Sequence, residues 1–164
     1  MAHAGKVALV CCWLAGCHGF AQTATIGPAF GDRTSVIASV ELAGVARAEP
    51  GERRTLGGAA AGGASMIVDG DGATAGASGG LDYLPVVFEN GTVVGLGAHV
   101  GYGVGYGVGT ADGVRVLPRL WFTVGGWTLA GAPLAIGAML RCHIGVVDDA
   151  PYGCGPMLVV TRGP

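Results

Sequence analysis

From Val94 to Thr110 the chain alternates with almost no interruption. Every even position is apolar, small or aromatic (Val94, Leu96, Ala98, Val100, Tyr102, Val104, Tyr106, Val108), and every odd position is glycine except His99. Successive side chains on a β-strand point to opposite faces. This segment therefore predicts a strand with one apolar face and one nearly bare face, longer than the 5–6 residues usual in globular proteins and closer to the 9–11 of a tilted membrane strand. The glycines do not fit a dinucleotide fingerprint, which needs glycine at i and i+5, and no Gly-Lys-Ser/Thr follows to make a phosphate loop.

The flanking turns extend the pattern. Asn90-Gly91 between two apolar runs is a strong hairpin signal. Pairing outward from it puts Val87 opposite Val94, Pro85 opposite Leu96 and Tyr83 opposite Ala98, with Leu84 opposite Gly97. Ala111-Asp112-Gly113 reads as a three-residue loop that sets Arg115, Arg119 and Trp121 opposite Gly109, Gly105 and Gly103. Gly125-Gly126 reads as a two-residue turn that sets Trp121 and Arg119 opposite Ala130 and Ala132, and Phe122 opposite Leu129. In this register Leu117, Leu134 and Ile136 share the inner face with Arg115 and Arg119. Bulky side chains meet empty positions through three turns, so one facing pattern is kept throughout.

Further strands are predicted over Ser35–Glu49, Thr55–Val68 and Met157–Thr161, with Pro50-Gly51 and Asp69-Gly70-Asp71-Gly72 as breaks and Gly70–Gly80 as a Gly/Ala/Ser loop. Six strands are clear and there is room for eight. A helical span over the uncharged stretch Leu120–Leu140 would be long enough to cross a bilayer. Its Gly125-Gly126, Gly131, Pro133 and Gly137 oppose a helix, and the hairpin reading accounts for the same residues.

Composition sharpens this picture. Of 164 residues 33 are glycine, 12% are charged and 51% are hydrophobic, with net charge −2 and mean hydropathy +0.55. Ordinary soluble domains carry about 25% charged residues and about 7% glycine. So little charge excludes disorder of the charged kind, the irregular glycine spacing excludes collagen, and the absence of a basic stripe excludes a nucleic-acid partner.

The N-terminus carries a weakly basic Met1–Lys6, an apolar Val7–Gly16 and then small residues, the form of a secretory signal peptide. Two processing sites are present. Gly19-Phe20-Ala21 suits ordinary signal peptidase, giving a leader of 1–21 and a single β-rich domain of 22–164. Leu14-Ala15-Gly16-Cys17 resembles a lipobox, giving a leader of 1–16 and Cys17 as the lipidation candidate. Beyond the leader eight arginines face eleven acids, a charge of −3. Cys142 and Cys154 in an exported protein are a disulfide candidate, a closure that stabilises by about 3 kcal/mol in the chain-entropy model.

The alternation, the turns and the export signal together resemble the small outer-membrane β-barrels of Gram-negative bacteria over Ser35 to Thr161. The resemblance implies an all-β, antiparallel, up-and-down β-barrel of about eight strands after the signal peptide, because lipid offers backbone groups no hydrogen bonds and a sheet in it must close. It also implies a lipid bilayer as partner, an outer-membrane or cell-surface location, a possible envelope protein partner and a structural or interaction role. The competing architecture is a lipid-anchored or secreted β-sandwich binding module.

The lumen-facing polar candidates are His99, Arg115, Arg119 and Trp121, with Glu41 as a pairing partner for the arginines. No chemistry is signalled beyond these. Cys142-His143 with Cys154 falls short of a metal-ligand spacing. Asp69 and Asp71 lack the later ligands of a calcium loop and read as a turn. Asn90-Gly91-Thr92 is a sequon that the hairpin already explains, and Ser35, Ser39, Ser65 and Ser78 lack a nucleophile elbow. The expectation is therefore no catalytic residue, no metal, no cofactor and no enzymatic activity.

Overall fold

The computed structural model describes residues 19–48, 53–107, 112–146 and 153–163. They form eight strands: β1 (Gly19–Gly31), β2 (Ser35–Arg47), β3 (Arg54–Val68), β4 (Gly72–Phe88), β5 (Val93–Gly107), β6 (Gly113–Leu129), β7 (Ala132–Gly145) and β8 (Gly153–Arg162). Each pairs antiparallel with its sequence neighbours, and β8 returns to β1, so the sheet is a closed barrel. The up-and-down barrel is thus established. The sandwich alternative is corrected, because one sheet closes on itself and there is no second sheet to pack against. No helix among the described residues is long and apolar enough to cross a membrane, and Leu120–Leu140 lies in β6 and β7.

The alternation sorts residues as the pattern requires. On β5 the glycines and His99 turn inward while Leu96, Val100, Tyr102 and Tyr106 are exposed outside. On β2, Ile37, Ser39 and Glu41 are buried while Val36, Val40 and Leu42 lie on the outer wall. Inward glycine also permits closure. A Cβ on Gly63 would come within 2.7 Å of the Glu41 Cα, and one on Gly137 within 2.7 Å of the Thr123 Cα, so neighbouring backbones approach where no side chain intervenes.

Three registers differ from the sequence reading, each for a physical reason. Arg115, Arg119 and Trp121 face Gly101, Gly97 and Gly95, not Gly109, Gly105 and Gly103. Strand β5 runs on to Gly107 beside β4, while β6 starts at Gly113 opposite Gly103, so the connection is longer than three residues. Because nearly all odd positions of β5 are glycine, a slip by an even number of residues preserves the faces, and patterning alone does not distinguish the registers.

Along β4, Tyr83 faces Leu96, Leu81 faces Ala98 and Asp82 faces Gly97, and a bulge between Tyr83 and Val86 restores Val86 to Val94 and Val87 to Val93. Pro85 sits in that bulge, where its missing N–H costs no ladder bond. The hairpin turn at Asn90-Gly91 needs only one left-handed residue, not the two of the two-residue primed turn that Asn-Gly most often makes. The Gly91 N–H donates to the Phe88 carbonyl at 3.1 Å, and Gly91 has a positive φ of 83° while Asn90 does not.

The third difference changes which residues face inward. Gly125-Gly126 is not a turn: β6 continues through it with a bulge between Gly125 and Trp127, and the chain reverses at Ala130-Gly131, both with positive φ (50° and 77°), as a primed two-residue turn needs. Trp121, Arg119 and Phe122 therefore pair with Met139, Arg141 and Ala138, not with Ala130, Ala132 and Leu129. The bulge adds one residue, so Ala135, Met139 and Arg141 are buried and Ile136 lies outside; Leu134 is half-buried. The Gly70–Gly80 loop is corrected as well, since Gly72 opens β4 and pairs with Gly107. Strand β1 was not among the six clear strands, and it includes Gly19–Ala21, which pair with Val45, Gly44 and Ala43.

The corrected register moves the sensitive glycines. A Cβ on Gly95 would lie 2.5 Å from the Trp121 indole nitrogen, whereas one on outward Gly58 would meet nothing nearer than 3.6 Å. Gly95→Leu is expected to lose at least the upper end of the about 1–3 kcal/mol typical of overpacking, read by denaturant unfolding of detergent-folded protein. Trp121→Ala in the same chain should recover much of that loss, and Gly58→Ala should change little.

Candidate functional site

The lumen is occupied by charge. Glu41 from β2, Asp82 from β4, Arg119 from β6 and Arg141 from β7 all turn inward, between 0% and 7% exposed. Arg119 grips Asp82 with two nitrogens, its Nε donating to Oδ1 at 2.8 Å and its Nη2 to Oδ2, while its Nη1 donates to Glu41 Oε2. Arg141 Nη1 donates to the other Glu41 oxygen at 2.9 Å and to Ser39 Oγ at 3.1 Å. Ser39 in turn shares a 2.7 Å hydrogen bond with Thr25 of β1. The network thus crosses the lumen from β1 to β7, with two carboxylates balanced by two guanidinium groups.

Each sequence-predicted residue has a place around this network. Arg119 joins it through the anticipated Glu41. His99 is fully buried, with Nε2 3.8 Å from Asp82 Oδ1. Arg115 is buried nearer the other end, beside a small pocket shared with His143 and Ser78. Trp121 packs against both apolar clusters of the lumen, one built on Ile37, Met139 and Met157 and the other on Leu84 and Val87. Cys142 and Cys154 lie opposite each other on β7 and β8 and form a disulfide. Cys17 lies outside the described residues.

Two members of the network, Asp82 and Arg141, escaped the sequence reading. The signal was present: Asp82 is the one charged residue between Gly72 and Phe88, and Arg141 the one between Leu120 and Ile144. A lone charge turned into the closed lumen must find a partner there, because an unpaired buried charge is costly.

Above the network, toward the end of the barrel where the described chain begins and ends, a cavity of about 60 Å³ opens. Leu84, Val87, Trp121 and Met139 contribute to its walls, and Glu41, Asp82 and Arg119 also line it. Their charges are balanced within the network together with Arg141, and Arg47 also lines the cavity, so it offers a largely apolar wall above a paired charged base. Among the described residues no group of three or more His, Cys, Asp or Glu is arranged to hold a metal ion. A scan against protein-family models finds no match for this chain, and neither curated proteins nor solved structures give one.

Removing one partner of a buried ion pair leaves an uncompensated charge, at a cost of about 3–5 kcal/mol. Arg119→Met strands Asp82, leaves Glu41 to Arg141 alone, and should destabilise the barrel by about that much in denaturant titrations. The double variant Asp82→Asn, Arg119→Met removes the stranded carboxylate, leaves Glu41 paired with Arg141 and should be more stable than Arg119→Met alone.

Proposed function

We propose that this protein is a small outer-membrane β-barrel of a Gram-negative cell envelope, with a structural or interaction role and no catalytic activity. The observation that carries the reading is the inversion of polarity across the wall. Glu41, Asp82, Arg119 and Arg141 are buried inside, while Leu81 is 70% and Val40 63% exposed outside. Among the described residues, the outward charges within strands are Arg54 and Arg162, both at strand ends. A soluble protein leaving so continuous an apolar belt in water would aggregate; a bilayer covers it.

Dimensions agree with this reading. Strands of 10 to 17 residues meet the 9–11 needed for a tilted crossing. Exposed aromatics stand near both ends, with Phe20 and Trp127 toward one and Phe30 and Tyr106 toward the other, as in interfacial girdles. Tyr83, Tyr102 and Phe122 lie further within the wall. The lumen carboxylates Glu41 and Asp82 are saturated by arginine and not poised as acid or base, which favours a structural or partner-binding role over an enzyme. An exported chain fits the leader read from Met1 to Ala21, or to Gly16 where Cys17 is lipidated.

Fractionation and gel mobility test the reading. The protein should stay with the membrane pellet until detergent is added, and unheated samples should migrate differently from boiled ones because the closed barrel resists detergent unfolding. Release in soluble form without detergent, or identical mobility with and without heating, would contradict it.

A further inference from the structure

The closing seam between β1 and β8 is unlike the other ladders. It is in register at Ile26 with Leu158 and again at Phe30 with Cys154, yet the three pairs between them are missing. The central missing pair sets Pro28 opposite Pro156. In an antiparallel ladder alternate pairs exchange two N–H···O bonds, and at this pair both donors are absent because proline has no N–H. Each flanking pair also depends on one of those two bonds, which accounts for a gap of three. On their other sides both prolines pair normally, Pro28 with Val36 and Pro156 with Leu140. Both strands thus treat the seam as an edge, the place where proline is tolerated in a sheet.

What lies behind the gap is equally specific. Met157 follows Pro156, faces inward and pairs with Met139 across the β7–β8 ladder, and both side chains are 2% exposed. Methionine is unbranched and repacks readily. Met139 also lines the luminal cavity, and Trp121 packs against the cluster that contains both methionines. Between the outer wall and the cavity stand this unbonded stretch of seam, where the backbones still approach closely at Gly27 and Gly155, and the cluster of Ala29, Ile37, Val159 and the two flexible thioethers. Outside, Pro28 and Pro156 are exposed on the face that the proposed function assigns to lipid.

We propose that the β1–β8 seam parts at Pro28 and Pro156 to admit a single hydrocarbon chain of a surrounding lipid, which displaces Met139 and Met157 and reaches the luminal cavity beside Trp121. The ligand class is a linear acyl chain, because an eight-stranded lumen is only side-chain wide and its lining at this level is apolar. Two backbone carbonyls without donors, in a medium with no water to supply them, make this the stretch of wall that costs least to open. This inference rests on the membrane reading.

The test uses the folded full chain in phosphatidylcholine vesicles with or without dibrominated acyl chains, which quench nearby tryptophan. Two single-tryptophan proteins are compared: Trp13→Phe with Trp127→Phe retains the inward Trp121, and Trp13→Phe with Trp121→Phe retains the outward Trp127. Brominated lipid should quench both. Quenching of Trp121 should be lost when Pro28→Val and Pro156→Val restore both missing donors with residues suited to a lipid-facing strand, while Trp127 stays quenched. If Trp127 is not quenched, the membrane reading fails and this inference with it. If Trp127 is quenched and Trp121 is not, the inference alone is overturned. Equal quenching of Trp121 with and without the valines would mean that bromine acts through an intact wall, and would overturn the seam route. A phosphatidylcholine bearing a diazirine acyl chain gives a second readout: labelling of inward Met139 or Met157 supports the inference, and labelling confined to outward residues such as Leu158 contradicts it.

Discussion

The cross-section of an eight-stranded barrel is the constraint on which the rest of this structure depends. The interior is just wide enough to be filled by side chains, so every large inward group must be matched by an absence beside it. The Trp121 indole lies against Gly95, Arg119 and Asp82 meet over Gly97, Leu117 reaches Gly101, and the Arg115 guanidinium lies over Gly103. Glycine in this chain is therefore not flexible filler. It is the complement of a few bulky side chains, and its concentration on the inner face of β5 records where those side chains project from β6.

The same narrowness explains how charge is handled. Four ionised groups share a space without bulk water, and each is held by at least one opposite charge. The network spans strands far apart in sequence, with Glu41 and Arg119 separated by 78 residues, so it joins parts of the wall that no hairpin connects. Such pairs add little net stability compared with apolar packing, but leaving one unmatched is costly. They favour the one closed arrangement in which all partners meet. The apolar outer belt makes the complementary demand, since its side chains gain nothing from the lumen and, on the proposed reading, find their cover in hydrocarbon.

Much of this was legible in the sequence. Strict alternation over Val94–Thr110 specified both faces of β5, and the glycine–bulk rule assigned Arg115, Arg119 and Trp121 to the inside. What stayed hidden was register. A repeating Gly-x pattern is unchanged by an even slip, so β5 and β6 were aligned eight residues from their true positions along β5. Bulges were the other source of error. Gly125-Gly126 supplies the positive φ of Gly126 for a bulge as readily as for a turn, and the extra residue reversed the faces of β7, concealing Arg141. Strand β1 and the first half of β4 consist largely of Gly, Ala, Ser and Thr, whose alternation carries little contrast. Their strand state comes from pairing with stronger neighbours, and local preference contributes little.

The central claim is that the even-numbered face of strands such as β2 and β5 meets hydrocarbon while the odd-numbered face meets only protein. Lipid-borne paramagnetic relaxation on methyl-labelled protein in nanodiscs measures this directly. Nitroxides deep in the acyl region should broaden the methyls of Val40, Leu42, Val100 and Leu120 strongly and those of Ile37, Leu84 and Leu117 weakly. Equal broadening of both sets, or strong broadening of the outer set by a water-soluble nitroxide instead, would contradict it.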